Sequence, residues 1–302
     1  MAQTVTERPR AATGPASLSV VMPAYNEADS IRAVVERVIA ELPQAEVIVV
    51  DDGSKDGTAA RLAGLPVRTL RHPYNKGNGA AVKTGLRAAR GEWVLLLDAD
   101  GQHSAEDVGR LLAYTDEYDL IVGARAPETQ ASVGRALGNR LLNWLAGYVV
   151  GRPIPDLTSG FRAMRRSAIM EFIHLLPNGY SYPTTSTLCF FKAGYSVVFV
   201  PLQARRRRAG KSNINLTRDG AKFLTIILRI LTLFSPLRLF LPIALLLLGL
   251  GVGSAMYTII FERLRVPNSA VVLILASLFI FLMGLVSEQI AALRFERREP
   301  PQ

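Results

Sequence analysis

The chain has 302 residues, 49% of them hydrophobic, with a mean hydropathy of +0.22 and 35 Lys and Arg against 25 Asp and Glu, a formal charge of +10. That length holds one large domain or a domain with an appendage, and so high an apolar share argues against a purely soluble chain. The single cysteine, Cys189, excludes an intramolecular disulfide and a multi-cysteine metal site, and three histidines without His-x-x-x-His spacing argue against zinc.

Residues 1–17, rich in Thr, Ala, Arg and Pro, lack the apolar core of a signal peptide and read as a disordered tail. Leu18 to Met22 is an expected strand, broken by Pro23-Ala-Tyr-Asn-Glu, and Ser30 stands where an N-cap would open a helix from Ile31 to about Glu41. Val47 to Val50 is the second strand and runs into Asp51-Asp52-Gly53-Ser54. A helix from about Gly57 to Ala63, a strand near Val67 to Leu70, a helix from about Gly79 to Arg90 and a strand from Trp93 to Leu97 follow. This alternation predicts an α/β fold, a Rossmann-like, mainly parallel sheet with helices on both faces. Right-handed crossovers then bring the strand ends to one side.

Those ends carry charge. The first strand ends near Glu27, the second at Asp51 and Asp52, the fourth at Asp98 and Asp100, and a fifth, Leu120 to Gly123, at Arg125. Solvated loops explain one or two polar termini but not a carboxylate at strand after strand. In open α/β sheets ligands bind outside the carboxyl ends of the strands. Two hard oxygen ligands there suit Mg²⁺ or Mn²⁺ arriving on a diphosphate.

Four stretches, Val21-Met-Pro-Ala-Tyr-Asn-Glu, Val50-Asp-Asp-Gly-Ser-Lys-Asp-Gly-Thr, Asn75-Lys-Gly-Asn-Gly-Ala and Asp98-Ala-Asp-Gly-Gln, resemble in order and spacing the signatures of family 2 glycosyltransferases. The resemblance implies a GT-A-type fold, with Asp100 a metal ligand, Asp98 a sugar or ribose contact and Asp52 the reader of the nucleotide base. Pro23, Tyr25, Glu27, Lys76 and Ala99 would complete the nucleotide-sugar pocket. Val122-Gly-Ala-Arg125, Asp156-Leu-Thr-Ser-Gly-Phe-Arg162 and Arg-Ala-Gly210-Lys-Ser212 are similar to stretches of the polyprenyl- and dolichyl-phosphate sugar synthases. In that subgroup Gln102 would assist the metal, and Arg125, Ser159 and Arg162 would surround the transferred group and the acceptor phosphate, joined by Arg208, Lys211 and Ser212. Asp98, Asp100, Arg125 and Arg162 are the implied catalytic set. Two departures are Ala124, where Ser is common, and the Arg density of Arg205 to Arg208.

That basic run has other readings. A P-loop fails, since the Gly required five residues before Gly210 is Arg205, and nucleic-acid binding is disfavoured because no aromatics interleave the arginines. A platform for a lipid-linked phosphate fits better, because Arg forks match phosphate and juxtamembrane cations favour anionic head groups. Leu239 to Phe261 and Pro267 to Ser287 are 23 and 21 residues without a charge, each long enough to span about 30 Å of hydrocarbon. Pro242 is expected to bend the first span, and Gly249, Gly251, Gly253 and Ser254 to offer a close-packing face. Before them, Leu216 to Leu233 sets Arg218, Lys222 and Arg229 among apolar residues, the pattern of an interfacial amphipathic helix.

The expected organisation is thus a tail (1–17), a catalytic domain (18–212), a juxtamembrane helix (213–235), a two-helix transmembrane hairpin (236–293) and a second tail (294–302). Basic residues flanking the hairpin outnumber Arg263 and Arg265 in its loop, which places the catalytic domain and both termini in the cytoplasm. The implied reaction is inverting transfer of one hexose, mannose first, from GDP-mannose or a UDP-hexose to polyprenyl phosphate. The small-residue face and the resemblance point to a homo-oligomer, a tetramer at first guess. A non-catalytic binding protein is the competing class, disfavoured by the intact acids. A processive synthase would carry a Gln-x-x-Arg-Trp motif, which this chain lacks.

Overall fold

Short Val-, Ile- and Leu-rich runs form the strands, because branched side chains pack on both faces of a covered sheet. The computed structural model describes residues 17–99, 105–125, 133–179, 181–202, 228, 230–261 and 266–293. The chain divides into two units, Met1–Ile214 and Asn215–Gln302.

In the first unit the strands are β1 (Leu18–Ala24), β2 (Glu46–Asp51), β3 (Arg68–Arg71), β4 (Trp93–Leu96), β5 (Leu120–Arg125), β6 (Arg162–Arg165) and β7 (Val197–Leu202). The helices are α1 (Ile31–Glu41), α2 (Thr58–Arg61), α3 (Asn78–Ala88), α4 (Ala105–Leu112), α5 (Val133–Val150), α6 (Arg166–Phe172) and α7 (Tyr182–Lys192). One sheet of order β3-β2-β1-β4-β6-β5-β7 holds all seven strands. On one face, Val20, Met22, Val49, Leu95, Ile121 and Val198 pack with Ile31 and Val35 of α1 and Val108 and Leu111 of α4. On the other, α3 lies along β1 and β2 so closely that a Cβ on Gly85 would strike the Val21 side chain. Each such buried Val, Leu or Ile contributes about 1.5–3 kcal/mol over leaving it in water.

The β-α alternation expected up to the fourth strand is present, and the ends of these elements and of the fifth strand lie within two residues of those expected. Ser30 stands at the N-cap of α1 but makes no cap bond; its hydroxyl donates to Glu27 Oε2 at 2.9 Å. Sequence reading missed β6, β7 and helices α4 to α7. Most consequential is β6, which runs antiparallel to both β4 and β5, pairing Arg162 with Leu96 on one side and Val122 on the other. The reversed strand therefore presents its amino end, Arg162, where its neighbours present their carboxyl ends.

The second unit contains α8 (Pro236–Phe261) and α9 (Asn268–Leu293), each 26 residues and apolar enough to cross a membrane. Both exceed the expected spans, and at 1.5 Å per residue each is about 39 Å long. Ser277 donates to the Ala244 carbonyl at 2.9 Å, and Leu237 N donates to Glu288 Oε2 at 3.0 Å. Helix α8 runs on through Pro242. Gly251 packs against Ala270, Leu273 and Ile274, whereas Gly249 and Gly253 face open space. The expected small-residue face thus narrows to one glycine against α9, because residues two apart on a helix point about 200° away from each other. Of the amphipathic helix expected over 216–233, residues 228 and 230–233 are described and helical; the rest, like the tails at 1–16 and 294–302, lies outside the described residues.

Candidate active site

At the β1 and β2 end of the crevice, two loops are stitched together by side chains. Asn26, in the left-handed region at φ 56°, takes a hydroxyl from across the gap: its N–H donates to Ser54 Oγ at 2.9 Å, and its Oδ1 accepts from Lys55 N at 3.0 Å. Glu27 N donates to Thr58 Oγ1 at 2.9 Å. Gly53, at φ 76°, leaves no room for a side chain, since a Cβ there would lie 2.6 Å from the Tyr74 carbonyl carbon. Pro23 is buried in β1 opposite Val50, and Tyr25 is exposed.

The two acids ending β2 have different partners. Asp52 is buried and its carboxylate is taken up locally: Oδ1 accepts from Lys76 N at 2.9 Å and lies 2.6 Å from His72 Nδ1, and Oδ2 accepts from Gly77 N at 2.8 Å. The other nitrogen of His72 lies 2.9 Å from Thr84 Oγ1. Asp52, expected at the base, also holds the turn before α3 in place. Lys76 is exposed, its ammonium 5.7 Å from the Tyr74 ring centre. Asp51, also buried, accepts from Ser54 N through Oδ1 at 2.9 Å; its Oδ2 lies 3.2 Å from Arg71 Nε without hydrogen-bond geometry.

Across the crevice, Asp98 follows β4 and Arg125 ends β5. Arg125 is clamped by Asp156: its backbone N, Nε and Nη2 reach the Asp156 carboxylate at 3.2, 2.9 and 3.2 Å, and Nη2 also donates to Thr158 Oγ1 at 2.7 Å. Asp156 in turn accepts from Thr158 N at 3.0 Å, a local turn that presets the carboxylate. Burial pushes the Asp156 carboxyl up, but the bonds from Arg125 outweigh it and hold the group below its ordinary range. Arg125 moves the opposite way: burial opposes its charge, while Asp156 and then Asp98 more than restore it. Gly160 closes on Asp98 so tightly that a Cβ would lie 3.0 Å from Oδ2 and 3.3 Å from the Tyr182 hydroxyl.

Arg162 is fully buried. Its Nη1 donates to Pro183 O, Ser186 Oγ and Thr187 Oγ1 at 2.9, 2.8 and 3.1 Å, and Nε and Nη2 both donate to Ser159 O. Burial pulls its pKa down to about 10 against the opposing pull of Tyr182, Asp156 and Asp98, so it remains charged at neutral pH. This guanidinium fastens the first turn of α7 to β6 and acts on the crevice through its charge. Burial and the neighbouring Asp98 keep the Tyr182 hydroxyl protonated. Ser159 and Ala99 are also buried.

Asp100, Gln102, Arg208, Lys211 and Ser212 lie outside the described residues. Among the described residues no group of three or more His, Cys, Asp or Glu could hold a metal ion. The crevice does unite Asp98, Arg125 and Arg162. Sequence reading assigned no role to Asp156, Thr158, Gly160, Tyr182 or His72. The Asp-x-Thr turn was a visible signal for Asp156, but its partner Arg125 is 31 residues away.

Residues 19–173 match the family model for glycosyl transferase family 2, and residues 235–293 match that for the GtrB C-terminal hairpin. The chain is 33% identical to polyprenol monophosphomannose synthase of Mycolicibacterium smegmatis over 65% of this chain and 80% of that one. It is 30% identical to undecaprenyl-phosphate 4-deoxy-4-formamido-L-arabinose transferase of Edwardsiella ictaluri over 94% and 92%. Among solved structures, glucosyl-3-phosphoglycerate synthase of Mycobacterium tuberculosis, in complex with Mn²⁺, uridine diphosphate and glucosyl-3-phosphoglycerate, is similar at a TM-score of 0.56 and 25% identity, covering 71% of this chain and 78% of that one. Strand-end acids, a clamped arginine and these likenesses agree: the chain belongs to glycosyl transferase family 2, in its polyprenyl-phosphate sugar transferase subgroup.

Proposed function

We propose that this glycosyltransferase moves a single hexose, mannose first, from a nucleotide-diphosphate sugar to a polyprenyl monophosphate at the cytoplasmic face of a membrane, with inversion at the anomeric carbon. The observation that carries this reading is the meeting of Asp98 with the Asp156-clamped Arg125 at the ends of β4 and β5, the two strands that flank β6, on a chain that also bears two helices of membrane-spanning length. An acceptor phosphate oxygen is already anionic, so it attacks the anomeric carbon without a general base, and the bond from that carbon to the diphosphate oxygen breaks. What the protein must supply is positioning and charge. Arg125 is suited to hold the anionic reactants together because Asp156 fixes its fork in advance. Asp98, against which Gly160 closes, is placed to accept sugar or ribose hydroxyls. Asp52, the expected reader of the base, also orders the turn that carries Lys76. Arg162 serves as a positioning residue with an electrostatic reach to Asp98.

Asp100 and Gln102 offer hard oxygen donors two residues apart and would hold Mg²⁺ or Mn²⁺, which neutralises a departing diphosphate. A second donor reading, a UDP-hexose, is favoured by the similarity to a solved uridine-diphosphate complex. The test is a transfer assay with purified protein in detergent, polyprenyl phosphate, Mg²⁺ and radiolabelled GDP-mannose, UDP-glucose or UDP-N-acetylhexosamine offered separately. One labelled lipid, lost on adding EDTA and in Asp100→Ala, is expected; full activity of that variant overturns the metal assignment, and label from a UDP-sugar alone replaces mannose.

A further inference from the structure

Among the described residues His72 is a buried histidine to which the proposed reaction gives no part. It follows β3 and is 7% exposed. Its backbone N donates to Asp51 O at 2.8 Å, which fastens the root of the side chain to β2. Both ring nitrogens are engaged as well: Nδ1 lies 2.6 Å from Asp52 Oδ1, and Nε2 lies 2.9 Å from Thr84 Oγ1 on α3. The imidazole is thus a strut between the end of β2 and the middle of α3.

The carboxylate at one end of that strut can be accounted for position by position. An ionised carboxylate only accepts, at about four positions over its two oxygens. Asp52 is 2% exposed, so donors of the protein rather than water fill them. Oδ1 accepts from Lys76 N and meets His72 Nδ1, and Oδ2 accepts from Gly77 N. Nδ1 therefore carries the hydrogen of its contact, while the Thr84 hydroxyl, which can donate or accept, suits Nε2 with or without a hydrogen. Among the described residues both positions on Oδ1 are taken, and the one left is on Oδ2.

We propose that His72 is a positioning residue for the nucleotide base: it locks the Asp52 carboxylate in one plane, so that the remaining position on Oδ2 meets an N–H of the base. This rests on the reading that places the base at Asp52. Lys76 N and Gly77 N belong to one turn, and a carboxylate held by that turn alone would move with it. His72 comes from another segment and is anchored on α3, so it adds the fixed third point. A charge-assisted bond in a site almost without water is strong enough to set this orientation. Uracil N3–H and guanine N1–H are both ring N–H groups of the kind such an oxygen accepts.

The test measures binding rather than transfer. Full-length protein in detergent with Mg²⁺ is titrated with UDP and GDP, and with N3-methyl-UDP and N1-methyl-GDP, which lack that hydrogen. Wild type should bind its preferred nucleotide at least about tenfold more tightly than the methylated form. His72→Asn keeps an N–H near the place of Nδ1 and should keep this preference. His72→Gln, whose amide reaches toward Thr84 instead, and His72→Phe should lose it. Thr84→Val leaves the ring and removes its anchor; it should weaken the preference, and Thr84→Ser should restore it, which keeps the test decisive if a His72 variant fails to fold. A residue that only supports the fold would weaken both nucleotides alike. A folded His72→Phe protein with the wild-type preference, or a Thr84→Val protein indistinguishable from wild type, therefore overturns the proposal alone. A wild type that binds parent and methylated forms equally, or binds neither parent, overturns the placing of the base and this proposal with it.

Discussion

Asp156→Ala removes the carboxylate that receives three bonds from Arg125 and leaves that guanidinium with its bond to Thr158. Breaking a buried pair by deleting one partner costs about 3–5 kcal/mol. Arg125 is 36% exposed, so water recovers part of the loss, and about 2–3 kcal/mol is the expected cost. For a unit of this size each kcal/mol moves Tm by about 2–4 °C, which gives a fall of roughly 4–12 °C. Thermal unfolding of the full chain in detergent measures it, and a cycle with Arg125→Met should return a coupling of at least about 1 kcal/mol. The pH dependence follows from the depressed Asp156 pKa. Its contribution is fully present above the ordinary Asp value of about 3.9 and is lost as pH falls through the lower folded value. The gap between wild type and variant should therefore persist from neutral pH to about 4 and close only below it. A variant whose Tm lies within about 1 °C of wild type, or additive single substitutions, would refute the clamp.

Gly160→Ala sets a methyl group 3.0 Å from Asp98 Oδ2 and 3.3 Å from the Tyr182 hydroxyl; kcat should fall by at least about tenfold with the Tm nearly kept, and unchanged kcat would show that Asp98 need not stay where it is. Asp52→Ala frees Lys76 N, Gly77 N and His72, so the KM for the nucleotide sugar should rise more than kcat falls, with faster amide exchange at Lys76 and Gly77; unchanged exchange there would disprove its tethering role. Ser277→Ala breaks a single interhelical bond to Ala244 and should cost only about 0.6 kcal/mol in reversible unfolding from bicelles; a loss several times larger would mean that Ser277 does more than bridge the two helices.

Much of this protein was legible one stretch at a time. Short apolar runs placed β1, β2 and β5, and period-3.6 patterns α1 and α3, within two residues, because a covered strand is buried on both faces and a helix on one. The acids ending β2 and β4 and the arginine ending β5 were visible for the same reason: a buried strand must stop where charge begins. Two uncharged runs marked α8 and α9 by length alone.

Other features were decided only when distant segments met. Strand β6 is four residues, Arg-Ala-Met-Arg, and nothing in that pattern announces a buried strand; it becomes one because carbonyls and hydroxyls of α7, some two dozen residues on, solvate the guanidinium of Arg162. The two neighbouring acids of β2 look interchangeable in sequence. They separate because Asp52 meets the amide groups of Lys76 and Gly77 while Asp51 meets Ser54 N and the Arg71 guanidinium. Motif residues thus named the chemistry of the crevice. Which of them touch substrate and which hold the others still depends on hydrogen-bond partners that the chain supplies from far away, and a local pattern carries no record of those.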